Sequence, residues 1–274
     1  MKKQDVVTPI LLARKESARP LFYVDDHGNP DHWGSCTLLK VSERFFVVTA
    51  AHVLDAWINT CGYLPNGNVF YELRPRLMFS TPLPCTRNRE DDKVDIGFVE
   101  IGVSDLPSNI RSLFIDLSDV AVVEHREEKR WFAVIGHPLT KTHTDYGKQH
   151  VKVKKPFTFT SIQSDQKVRE KLDFPADAIV LHFQQSKVFS DDQVMMHAPK
   201  PKGISGGAIW ELPVVDNRYL ADNKEKLVGI VIEHRCNENA LIGTSMKRVL
   251  FSLAFHYPDL RDMLTEWLAP VLKE

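Results

Sequence analysis

The sequence has no run of about eighteen apolar residues, so none of its helices is expected to span a bilayer. The first residues are not expected to form a secretory leader. The apolar stretch 6–13 is interrupted by Thr8 and Pro9, and no small-residue cleavage site follows it, whereas a signal needs both a clean apolar core and such a site. The expected location is cytoplasmic. There is no excess of one charge: 35 basic against 36 acidic side chains leave a formal net charge of −1. That balance gives no electrostatic footprint for nucleic acid or for an anionic membrane. Cysteine is scarce. Cys36, Cys61, Cys85 and Cys236 match neither a zinc pattern nor a C-x-x-C redox pair. A chain of 274 residues can build its core without disulfides, so the four are read as free thiols of a reducing compartment.

Long helices alternating with strands are absent as well. Short runs rich in Val, Ile, Phe and Thr dominate instead, bounded by Gly, Pro, Asn or Asp. They include residues 36–41, 44–49, 96–101, 131–135, 179–183, 208–212 and 227–232. This is a strand signature, and many such runs in succession predict an all-β sandwich or barrel. Helical spacing is concentrated at the end, at Val249, Leu250, Leu253 and Ala254 and again at Leu260, Leu264 and Leu268, with Pro258 as a break or kink between. Residues 51–58 read as a short helix, and 165–172 as a surface helix or a loop. The least patterned stretch, 104–118, is taken as the connection between two halves.

Three segments carry chemistry. In Thr49-Ala50-Ala51-His52 an apolar strand ends in small residues and a histidine follows at once. In Asp92-Lys93-Val94-Asp95-Ile96-Gly97 an aspartate opens an apolar strand. In Gly203-Ile204-Ser205-Gly206-Gly207 a serine sits among glycines, which permit unusual backbone angles and close approach of N–H groups to a ligand. Each has a bland alternative: a surface histidine, a strand-start turn residue and a Gly-rich hairpin.

Taken in order, the three segments and the downstream Val228-Gly229-Ile230-Val231 resemble the chymotrypsin-type serine proteases. Residues 131–138 resemble the strand-to-turn segment that opens the second barrel in bacterial glutamyl endopeptidases and high-temperature-requirement proteases. The resemblance covers about residues 33–250. It implies two six-stranded antiparallel Greek-key β-barrels with a C-terminal helix. By this reading residues 1–118 carry His52 and Asp95, 119–250 carry Ser205, and 251–274 are helical. It also implies a Ser205 nucleophile, a His52 base, Asp95 as its orienting partner, and an oxyanion hole from the N–H groups of Gly203 and Ser205. No metal or other cofactor is required. A polypeptide substrate would add a strand along Ile230, Val231, Ile232, Glu233 and His234. Nucleic acid and membranes are not expected partners, and a protein activator is left open.

The sequence departs from the family at two neighbours of the triad. Val53 follows His52 where secreted animal members carry a disulfide cysteine, and Ile204 precedes Ser205 where zymogen-activated members carry aspartate. Both differences point to the bacterial or intracellular branch. The position of the glutamyl endopeptidase pocket histidine is held by Val231. Two other classes remain: a binding module on the same barrels without activity, and another acyl-transfer enzyme using the same site.

Overall fold

The β-branched and aromatic runs pair into two sheets in the computed structural model. It describes all residues except 1–2, 25–26, 28, 56, 58–60, 67–68, 123–128, 142, 146–149, 153–154, 191–193, 221–222 and 273–274. The first sheet comprises β1 (Ala18–Val24), β2 (Pro30–Val41), β3 (Arg44–Ala50), β4 (Gly62–Asn66), β5 (Val69–Leu73), β6 (Pro75–Ser80), β7 (Ile96–Ile101) and β8 (Ile115–Asp116). Its order is β5-β4-β1-β2-β3-β7-β6, with β8 parallel beside β2.

The chain then forms β9 (Arg130–Gly136), a separate hairpin of β10 (His143–Asp145) and β11 (His150–Lys152), and β12 (Phe157–Ile162). It continues through β13 (Ile179–His182), β14 (Val188–Phe189), β15 (Met195–Met196), β16 (Ala208–Val215), β17 (Arg218–Tyr219), β18 (Lys226–Arg235) and β19 (Ala240–Ser245). The second sheet runs β13-β19-β18-β16-β9-β12-β14-β15, with β17 beside β16. The expected all-β architecture of two antiparallel sheets followed by a C-terminal helical segment is therefore met. Among the described residues the two sheets count eight and nine strands rather than six each; the two-residue strands β14, β15 and β17 account for the excess in the second sheet, and the two-residue β8 for part of it in the first.

Helices fill the margins: α1 (Lys3–Arg14), α2 (Ala51–Asp55), α3 (Ser108–Arg111), α4 (Gln166–Leu172), α5 (Met246–His256) and α6 (Pro258–Leu268). Of residues 165–172, 166–172 form helix α4, with Asp165 at its N-cap and Asp173 closing it in the left-handed region. Of the predicted short helix 51–58, α2 covers 51–55, while 56 and 58 lie outside the described residues. Pro258 starts α6, where its missing N–H costs nothing.

The two ends of the chain strap the sheets. Val7 and Leu11 of α1 are buried, and the Arg14 guanidinium stacks on Trp210 of β16 and pairs with Glu225. At the other end Tyr257 packs edge-on to Phe46 of β3, and Arg44 pairs with Asp259. One continuous apolar core joins the first sheet, part of the second and α5–α6. A fully buried Phe or Val in it is worth about 1.5–3 kcal/mol. Among the described residues no helix is long and apolar enough to cross a membrane.

Candidate active site

β3 ends in the buried pair Thr49–Ala50, and α2 begins at once. The Ala51 N–H donates to the Asp95 carbonyl at 3.0 Å, which fixes the helix start against the head of β7. Asp95 adopts φ +46°, a left-handed conformation that Asp tolerates better than most residues. Its carboxylate is buried and holds His52 twice. Oδ1 accepts the His52 backbone N–H at 3.0 Å, and Oδ2 meets Nδ1 at 2.6 Å. A carboxylate facing Nδ1 places the ring proton there and leaves Nε2 as the acceptor. Burial pushes the Asp95 carboxyl above its ordinary value, opposed by the bonds from His52.

Asp92, which sequence reasoning did not assign, fixes the approach to Asp95. Its Oδ1 accepts the N–H groups of Val94 and Asp95, and its Oδ2 takes bonds from Thr81 and Arg89. Burial opposes charge on Asp92, yet these donors together hold its carboxyl below the ordinary range. The signal was present as an Asx-type turn before an apolar strand.

Ser205 lies in a turn made possible by Gly203 at φ +95° and Gly206 at φ +85°. Ser35 of β2 holds this turn. Its N–H donates to the Ser205 carbonyl at 2.8 Å, and its Oγ donates to the Gly203 carbonyl at 2.9 Å and accepts the His137 N–H at 2.8 Å. Thr49 Oγ1 in turn donates to the Ser35 carbonyl at 2.7 Å, and Thr37 Oγ1 to the Gly206 carbonyl at 3.0 Å. Gly34 packs between the two motifs: a Cβ there would lie 2.8 Å from Val53, the neighbour of His52, and 3.3 Å from the Ser205 carbonyl oxygen. The strand that supports Ser205 is thus paired to the strand that leads into His52. Among the described residues the N–H groups of Gly203 and Ser205 donate to no protein acceptor.

His52 and Ser205 share no hydrogen bond among the described residues. The Ser205 Oγ donates instead to the Ile232 carbonyl at 3.4 Å. The expected substrate strand needs a correction at its start. Ile230 has Ala208 on one side and Thr244 on the other. Val231 pairs with Gly243 and exchanges hydrogen bonds with Gly206 and Gly207. Both edges are occupied at these two residues, so neither Ile230 nor Val231 can receive an added strand. A bulge follows between Val231 and Glu233. Among the described residues β18 pairs only with β19 from Glu233 onward, leaving its other edge open through Glu233, His234 and Arg235.

The open edge is charged. Arg235 lies 2.6 Å from the Glu233 carboxylate. Burial pushes the Glu233 carboxyl up, with Arg235 and Lys93 opposing. Burial lowers the His234 imidazole, which meets Phe183 edge-on. Among the described residues no group of three or more His, Cys, Asp or Glu is placed to hold a metal ion.

No family model matches the chain, and no curated protein sequence matches it significantly. Among solved structures, a mutant of human heparin binding protein is similar at 11% identity with a TM-score of 0.48, over 85% of this chain and 87% of that one.

Proposed function

We propose that the protein is a serine endopeptidase that hydrolyses peptide bonds through Ser205, His52 and Asp95. The observation that carries the reading is the pair of hydrogen bonds that His52 makes to the Asp95 carboxylate, one from the ring and one from the backbone, on a sheet that also tethers the Ser205 turn. A serine hydroxyl is a weak nucleophile and needs an adjacent base. In the reaction Ser205 Oγ attacks the scissile carbonyl carbon, and its proton passes to His52 Nε2. Asp95 stabilises the resulting imidazolium. The N–H groups of Gly203 and Ser205 receive the oxyanion, and one such donor contributes about 3–4 kcal/mol. Collapse breaks the C–N bond, and the amine leaves with the proton from His52. Water then attacks the ester, giving its proton to His52 and releasing the carboxylate, while Ser205 recovers its hydrogen. No step needs a metal or other cofactor.

The open edge of β18 at Glu233–Arg235 supports an extended polypeptide as substrate, because main-chain bonding there does not depend on side-chain identity. The missing His52–Ser205 bond does not oppose the assignment, since such bonds are commonly long before substrate arrives. It does favour a second reading, in which the protein is a silent binding module. Hydrolysis of an unfolded protein substrate by the wild-type chain, lost in Ser205→Ala with unchanged circular dichroism, is the expected result. Equal hydrolysis by both chains would remove Ser205 from the reaction, and none by either would favour the binding module.

A further inference from the structure

We propose that Trp33 and Tyr23 form an aromatic platform that binds an apolar side chain directly after the scissile bond, and so set substrate preference on the leaving-group side. This rests on the peptidase reading above and adds a substrate class to it.

The direction of the substrate follows from how the Ser205 turn is held. On one side Gly206 donates to Val231 of β18, and beyond that point the open edge of β18 begins. On the other side Ser35 of β2 donates to the Ser205 carbonyl. A chain bonded along β18 up to the reacting carbonyl therefore leaves the site toward β2. The residue before Gly34 and Ser35 on that strand is Trp33.

Trp33 is built to face outward. The β1–β2 ladder pairs Leu21 with Gly34 and Phe22 with His32, so Trp33 is the extra residue of a β-bulge. Bulges are over-represented beside active sites, where the unpaired extra residue bends the strand locally and re-aims a side chain. Here the flanking His32 and Gly34 stay buried while the indole is 45% exposed. Large apolar side chains left in water at this level need a reason when they cluster beside a site. Tyr23 meets the indole edge-on at 5.3 Å, and its hydroxyl donates to Asp31 at 3.1 Å, which holds the ring in place. Beneath the two rings lie the buried side chains of Leu21, Phe22, Val53 and Trp57. Val53 adjoins His52 in the chain, so the rings rest on the element that carries the base. The exposed indole offers a flat apolar contact with no enclosure, which suits Leu, Met or an aromatic side chain. For Asp or Gly it offers no partner.

The test uses the full-length chain and quenched fluorescent peptides identical up to the scissile bond, followed by Leu, Phe, Gly or Asp. Each rate is normalised to acylation by a p-nitrophenyl ester of the same acyl part, which has no residue after the reacting carbonyl. The wild-type chain is expected to favour Leu and Phe over Gly and Asp by about tenfold in kcat/KM, the scale of one aromatic contact. In Trp33→Ala that ratio should fall to about one, and in Tyr23→Ala it should fall part of the way. A ratio near one in the wild type, or a ratio unchanged in Trp33→Ala, overturns the platform while the ester still reports a working site. If the wild type is acylated by neither ester nor peptide, the peptidase reading fails and the platform fails with it.

Discussion

Ser35 donates its backbone N–H to the carbonyl of Ser205 at 2.8 Å, joining a strand of the first sheet to the candidate nucleophile of the second half. Its hydroxyl adds the bonds to Gly203 and His137. One small buried residue thus sets both the position of Ser205 and the orientation of the turn whose N–H groups would receive an oxyanion. Ser35→Ala keeps the backbone bond but leaves the Gly203 carbonyl and the His137 N–H without their partner. Leaving a buried group unsatisfied costs about 1–3 kcal/mol. Urea denaturation should show a loss of that size, and acylation by an ester should slow by about tenfold. Unchanged acylation would mean that the turn holds its shape without the Ser35 hydroxyl.

Gly206 has no freedom to change. It sits at φ +85°, and a Cβ there would collide with the Ser35 carbonyl oxygen and with Thr49 Oγ1. Gly206→Ala should therefore cost more than the about 1–3 kcal/mol of backbone strain alone and should remove activity. Chemical denaturation of the purified variant measures this, and a midpoint equal to the wild type would contradict the geometry.

His32 and His137 lie buried beside this turn, and burial lowers their imidazoles to about 4 and about 3. For His32 the Gly34 carbonyl and the charge of Asp31 oppose burial, and for His137 the charge of His32 adds to it. Both folded values lie below the ordinary value of about 6.5, so the unfolded chain takes up protons that the folded chain refuses. Their stabilisation is complete above about pH 6.5 and is lost as pH falls toward 4 and 3, at up to about 1.4 kcal/mol per pH unit for each histidine. Urea midpoints at pH 7.5, 6 and 5 should fall in that order, and His137→Gln should reduce the slope. A midpoint indifferent to pH over this range would contradict the burial of both rings.

The sequence carries the pieces of the site that have local signatures. His52 follows a strand ending in small residues, Asp95 opens one, and Ser205 sits among glycines; the structure bonds His52 to Asp95 and ties the Ser205 turn through Ser35 to Thr49 at the end of β3. Ser35 has no such signature. A serine within an apolar strand looks like any other until its partners at Gly203 and Ser205 are known. The same holds for Gly34, whose lack of a side chain matters only because Val53 and Ser205 converge on it. The start of the open edge on β18 was illegible for a related reason. Ile230 to Val231 and Ile232 to His234 belong to one continuous run, and only the pairing of β16 and the Ser205 turn shows where the open edge begins. Helix α1 was hidden by its internal Pro9, although Val7 and Leu11 keep the spacing of a buried face.

The cysteines should divide three to one. Cys61, Cys85 and Cys236 are exposed and Cys36 is buried, all four as free thiols. Burial pushes the Cys36 thiol up to about 12, which removes its reactive thiolate at neutral pH. A chromogenic disulfide reagent should titrate three thiols rapidly in the native protein and the fourth only on unfolding. Four rapid thiols would place Cys36 at the surface.

The most direct measurement of the central claim is mass mapping of a fluorophosphonate adduct on the native chain. Labelling requires an activated serine, so it reports the nucleophile and its base together. The expected result is a single adduct on Ser205, slowed by about 10³-fold or more in His52→Ala and Asp95→Asn, as groups acting as a unit require. An adduct on a different residue, or a folded wild-type chain that takes none, would contradict the assignment of Ser205, His52 and Asp95 as a hydrolytic site.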